Sequence, residues 1–117
     1  MGTMVNMNDK VVQAVPGFAE HLAGEVEFVA IFVARWSAAS QPLVRAVTAA
    51  LLESSTPVVA VDVDTHPHFA DQFAIVSVPT VVVLKGSDEL RRFVGATNPV
   101  DIAESVGSAR PVRSPLP

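Results

Sequence analysis

Cysteine is missing from all 117 residues, which excludes disulfides, thiolate metal ligands and every thiol reaction within this chain. The compartment stays open, since a chain without thiols is indifferent to redox poise. Charge is sparse: 17% of residues carry it, the formal net charge is -4, and the Lys and Arg residues are scattered rather than striped. Nucleic acid is therefore not an expected partner. Long apolar runs are absent too. The longest, Phe28 to Ala34, is about seven residues, whereas a bilayer span needs about 20. Met1 to Asn8 has neither the basic start nor the long apolar stretch of a secretory signal. The reading is a chain with no membrane partner, and a cytoplasmic location is the expectation.

What is present is a hydrophobic half of the composition, enough for a packed globule rather than a disordered chain. The length suits a single core. Residues 1–107 read as one domain. The last ten residues, SARPVRSPLP, hold three prolines and no periodicity, so 108–117 reads as a Pro-rich tail or linker.

The chain is organised around FVAIFVARWSAAS, residues 28–40. Its unbroken apolar start, rich in β-branched and aromatic residues, predicts a strand covered on both faces. From Gln41 to Glu53 the period changes: Leu43, Val47, Ala50 and Leu51 fall at helical spacings. Upstream, Lys10 to Val15 predicts a short strand. Pro16 opens a helix from Gly17 to about Ala23, closed by Gly24. Downstream, Pro57 to Asp64 predicts a second buried strand. Thr65 is expected to cap a short helix with Pro67 in its first turn and Phe69 and Phe73 on one face. Thr80–Lys85 and Glu89–Val94 predict a hairpin across Gly86-Ser87-Asp88. Asn98 caps a last helix that begins at Pro99 and runs to about Val106. The order βαβαβαββα predicts an α/β domain, parallel where strands and helices alternate and antiparallel in the final hairpin.

Trp36-Ser37-Ala38-Ala39-Ser40 resembles the W-C-x-x-C active site of thioredoxins with both cysteines replaced, and Val78-Pro79-Thr80 resembles their V-P-T segment with its cis-proline. Gly95, after the last strand, is a third match at the family's spacing. The resemblance covers about residues 9 to 107 and implies the thioredoxin fold, a central mixed β-sheet flanked by helices on both faces.

The chemistry of that family needs a thiolate at a helix N-terminus and a second thiol to resolve the mixed disulfide. Serine at positions 37 and 40 keeps the size and loses the reaction. Neither serine lies in a G-x-S-x-G elbow or near a histidine in sequence, so a nucleophilic role is not expected; helix capping is. Pro42 would remove a hydrogen bond if Ser37 were the cap and would be harmless if Ser40 were, so the helix start is expected to be irregular or displaced.

Supporting positions depart as well. Active members carry a buried aspartate five residues before the tryptophan, where this chain has Ile31, and a lysine on the neighbouring strand, where it has Ala60; the family's kink proline corresponds to Arg45. Exchanging two cysteines by design would leave those three alone, so the reading is a natural loss of activity. The alternative is a thiol-disulfide oxidoreductase seen as a Cys-to-Ser variant. The same departures, with Gly95-Ala96-Thr97-Asn98-Pro99, resemble the N-terminal thioredoxin domain of PICOT-type monothiol glutaredoxins. In that case the tail leads toward a glutaredoxin domain, to which iron–sulfur and glutathione chemistry would belong.

The expected function is therefore a non-catalytic binding or docking module with no cofactor and no metal. Its surface would be built from Trp36, Ser37, Ser40, Val78 and Pro79, and its partner would be a protein or peptide segment added by strand-like pairing. The competing reading is that these residues merely close the core. His66-Pro67-His68, with Asp62 and Asp64, holds metal-ligand residue types but reads as an ordinary helix entry. Arg91-Arg92 reads as a solvated face beside Asp88 and Glu89.

Overall fold

The computed structural model describes residues 15–95 and 97–109. Among these residues four helices and four strands follow one another: α1 (Val15–Leu22), β1 (Glu27–Val33), α2 (Ser40–Ala50), β2 (Val58–Asp62), α3 (Pro67–Gln72), β3 (Thr80–Lys85), β4 (Asp88–Val94) and α4 (Pro99–Ala109). The expected strand at Lys10 to Val15 lies outside the described residues except for Val15, which opens α1 instead. Of the tail from Ser108, the first two residues continue α4 and the rest lies outside the described residues.

The sheet order is β2-β1-β3-β4. β1 and β2 run parallel, with Ile31 opposite Ala60, while β3 lies antiparallel to both β1 and β4. The mixed sheet follows from the connections: a helical crossover returns the chain parallel, and a two-residue turn at Gly86-Ser87 can only reverse it. Asp88 belongs to β4, so the hairpin loop is one residue shorter than the sequence suggested.

Alternation along β1 divides the interior. Val29, Ile31 and Val33 face α2 and α4, packing with Leu43, Val44, Val47, Ile102 and Val106; Phe28, Ala30 and Phe32 face α1 and α3, packing with Phe18, Phe73, Val82 and Leu84. Both layers leave the strand without a polar face, which is why its sequence is an unbroken apolar run. Phe18 meets Phe28, Phe32 and Phe69 edge-on, with centroids 6.0, 5.8 and 4.8 Å apart. Fully burying side chains of this size stabilises by roughly 1.5–3 kcal/mol each.

Two caps differ in outcome. Asn98 Oδ1 accepts from the Val100 amide at 2.9 Å, as its position before Pro99 suggested. Thr65 does not cap α3. The N-cap residue is His66, with no side-chain cap bond, because the chain first turns on Asp62, whose carbonyl accepts from the His66 amide at 2.9 Å.

Candidate functional site

The site grows from the carboxyl ends of β1 and β2, where the two parallel strands leave the sheet side by side. After β1 the chain makes two consecutive turns. The Ser37 amide donates to the Ala34 carbonyl and the Ser40 amide to the Ser37 carbonyl, each at 3.1 Å. α2 then begins at Ser40 with Ala39 as its N-cap residue and no side-chain cap bond. Capping by either serine is thus corrected. Ser40 has turned inward: it is fully buried, and its Oγ accepts from the Ala34 amide at 3.3 Å. Pro42 is the third residue of α2, where an amide would have no intrahelical acceptor, so it leaves the helix intact and the start displaced to Ser40.

From β2, Asp62 supplies the turn. Its buried carboxylate accepts from the Asp64 amide at 2.9 Å and the Thr65 amide at 3.3 Å, and its second oxygen lies 3.8 Å from Arg35 Nε. This Asx-type turn aims the next acid. Asp64 Oδ2 accepts from Trp36 Nε1 at 2.8 Å, which fixes the indole while leaving the residue 70% exposed. A tryptophan so exposed does not close the core.

Opposite the indole, the segment after α3 forms a wall. Trp36, Val63, Ile75, Val76, Ser77 and Val78 line a shallow cleft of about 130 Å³. That volume suits one or two apolar side chains of a larger partner and falls short of small-molecule pockets, which run to about 300–1,000 Å³. The Val78-Pro79 peptide is cis. Pro79 itself is buried, and its carbonyl accepts from the Gly95 amide at 2.9 Å; Thr80 Oγ1 donates to the Ser77 carbonyl at 2.8 Å. Among the described residues, the amide and carbonyl of Val78 enter no backbone hydrogen bond. Of the residues singled out from sequence, Trp36 and Val78 line the cleft together, Ser37 is half-buried beside it, and Ser40 and Pro79 lie in the interior.

The other sequence candidates resolve differently. His66 and His68 stand with ring centroids 6.1 Å apart, and the His68 ring lies tilted against Phe69 with centroids 4.1 Å apart. Asp62 and Asp64 are taken up by backbone amides and by Trp36, and no group of three or more His, Asp or Glu among the described residues could hold a metal ion. Arg91 and Arg92 are not one solvated face. Arg91 lies over the Phe93 ring at 5.4 Å, while Arg92 crosses to the carbonyls of Phe73 and Ala74.

Sequence reasoning missed Ile75 and Val76 as lining residues and Asp64 as the partner of Trp36. Val76, 91% exposed, carried a signal: a β-branched residue between the end of a helix and a Val-Pro step has no period to join.

The family model described as Thioredoxin matches residues 9–108. The chain belongs to the thioredoxin family. Among solved structures, this thioredoxin-family chain resembles a mutant thioredoxin from Halobacterium salinarum, with a TM-score of 0.71 and 21% identity over 78% of this chain and 80% of the other. It also resembles a thioredoxin from Trypanosoma brucei brucei, with a TM-score of 0.71 and 20% identity over 90% of this chain and 97% of the other. Likeness at this identity establishes the thioredoxin fold. A curated relative, the bifunctional thioredoxin reductase/thioredoxin of Mycobacterium leprae, is 44% identical over 39 residues. That match covers 33% of this chain and 8% of the relative.

Proposed function

We propose that this chain is a non-catalytic thioredoxin-like module that docks an extended protein or peptide segment between Trp36 and Val78, without any covalent step. One observation carries the reading. Both positions that would hold the reactive thiols are serine, and the second is buried as the acceptor for the Ala34 amide, so the site is built around an oxygen rather than exposing a nucleophile. The Val78 amide and carbonyl, without a backbone partner among the described residues, can pair with a strand laid across them, and the cleft takes an apolar side chain from that strand. Gly95-Ala96-Thr97-Asn98-Pro99 and the Pro-rich tail support a place beside a monothiol glutaredoxin domain.

A second reading draws on the name of the mycobacterial relative: an oxidoreductase whose cysteines have been exchanged for serine. Against it stand Ile31 and Ala60, which pair across β1 and β2 where an active member would carry its aspartate and lysine.

A phage-displayed library of random linear peptides tests docking. Enriched peptides should shift the amide resonances of Val76 and Val78 and the indole resonance of Trp36, and Trp36→Ala should abolish capture. Absence of enrichment, or shifts confined to another face, would overturn the proposal.

A further inference from the structure

Arg92 sits on β4, opposite the cleft wall and outside every motif that points to the site. A β-bulge brings it into play. Val83 pairs with Arg91 and Leu84 with Glu89, leaving Leu90 unpaired between them. In a regular strand, residues three apart point to opposite faces; the extra residue puts Glu89 and Arg92 on the same one. That face is the α1 and α3 side, since their partners Leu84 and Val82 both pack in the core there.

There the guanidinium is held as a fork. Nε donates to Glu89 Oε2 and an Nη2 hydrogen to Glu89 Oε1, both at 2.8 Å. The same Nη2 donates to the Phe73 carbonyl at 2.6 Å and Nη1 to the Ala74 carbonyl at 3.3 Å. Those two carbonyls belong to the turn that ends α3. In it the Ile75 amide donates to the Ala70 carbonyl at 2.8 Å and the Ala74 amide to the Asp71 carbonyl at 3.1 Å, the paired bonds of a Schellman motif. Its left-handed residue is Ala74, at φ 53°, where glycine is the ordinary occupant. A turn strained in this way persists only when its surroundings over-determine it. The next residues, Ile75 to Val78, are the cleft wall.

We propose that Arg92 is the positioning residue of the cleft: by clamping the Phe73 and Ala74 carbonyls it holds the Ile75–Val78 wall at the distance from Trp36 that an apolar side chain needs. This rests on the cleft being the docking site. The hydrogen bonds of the clamp go to the turn rather than to the lining residues, so it acts through the turn that carries them.

Amide hydrogen exchange of the whole chain, followed residue by residue, gives the first readout. In Arg92→Met the amides of Ala74 and Ile75, whose bonds to the Asp71 and Ala70 carbonyls close the turn into the wall, should exchange about tenfold faster, while those of Ala30 and Val82 in the core keep their relative protection. Arg92→Lys, which cannot reach both carbonyls and Glu89 together, should fall between. Glu89→Gln loosens the fork without removing it, so it should speed the same amides less, and it serves if Arg92→Met fails to fold. The second readout is the affinity of a peptide enriched on the wild-type chain, expected to weaken about fivefold in Arg92→Met with Trp36 intact. Unchanged exchange at Ala74 and Ile75, exchange raised equally there and in the core, or a loosened turn with unchanged affinity would each overturn the role of Arg92. A wild-type chain that captures no peptide counts against the docking reading, and the exchange pattern still decides whether Arg92 sets the wall.

Discussion

At the scale of single residues, two substitutions separate what the site is built on from what it tolerates. Ser40 gives its oxygen to the Ala34 amide in a fully buried place. Ser40→Ala leaves that amide without an acceptor, which costs about 1–3 kcal/mol when the donor is buried; the 3.3 Å length places the loss at the low end. Urea unfolding should show a lower midpoint with an unchanged slope, and an unchanged midpoint would mean that water reaches the amide. Ala74→Gly works in the opposite direction. Relief of the left-handed strain at φ 53° is worth about 1 kcal/mol, after the extra freedom of glycine in the unfolded chain is set against it. The variant should melt a few degrees higher. Neither effect was legible in the sequence, where Ser40 resembled a cap and Ala74 was one alanine among many.

At the scale of elements, legibility follows the kind of force that makes each one. β1, α2, β2 and β3 were readable because burial on one or both faces writes a period into the apolar residues, and Asn98-Pro99 because a cap is a local event. The start of α3 was misread for the opposite reason: Asp62, not Thr65, organises the turn, and only the fold shows that its carboxylate is buried among amides. The Leu90 bulge was invisible in the same way, since register depends on the partner strand. Yet that bulge creates the Glu89–Arg92 pair. Hydrogen bonds from Arg92 hold the Glu89 carboxyl below its ordinary range. A depressed folded value means that the pair stabilises at pH above the unfolded value of about 4.3 and loses that contribution as pH falls through the folded one. With the Glu89 side chain 36% exposed, the contribution is small, so the titration itself is the better observable. In Arg92→Met the Glu89 side-chain carbon resonance should return to an ordinary carboxylate titration, because the hydrogen bonds that hold its proton off are gone. A Glu89 that still titrates low would show that something other than Arg92 holds it there.

At the scale of the whole molecule, the thioredoxin fold and the absence of its reactive thiols were both readable from Trp36 to Ser40 and from Val78 to Thr80, because those segments are short and their spacing is set by the sheet. The packing around Ile31 bears on what that absence means. Ile31 is fully buried among Val29, Val33, Val44 and Val81, and Ala60 lies beside it on β2; the interior has closed over the place where a proton acceptor would stand. Restoring both thiols, with Ser37→Cys and Ser40→Cys together, should therefore give a chain that forms a disulfide but reduces protein disulfides poorly. Ile31 cannot take the proton of the thiol installed at position 40, and loss of general-base help in that step is worth about 10²-fold. Sulfur is also a weaker acceptor than oxygen for the Ala34 amide, so the helix start would be less firmly tied than in the serine form. Ala38-Ala39 further sets the poise of the new disulfide through the relative stability of its thiolates. Insulin reduction at equal concentration, with an ordinary thioredoxin alongside, measures the sum. A rate about a hundredfold below that of the ordinary protein is expected. A comparable rate would show that Ile31 and Ala60 are no handicap, and the non-catalytic reading would then give way to that of an oxidoreductase lacking only its two sulfur atoms.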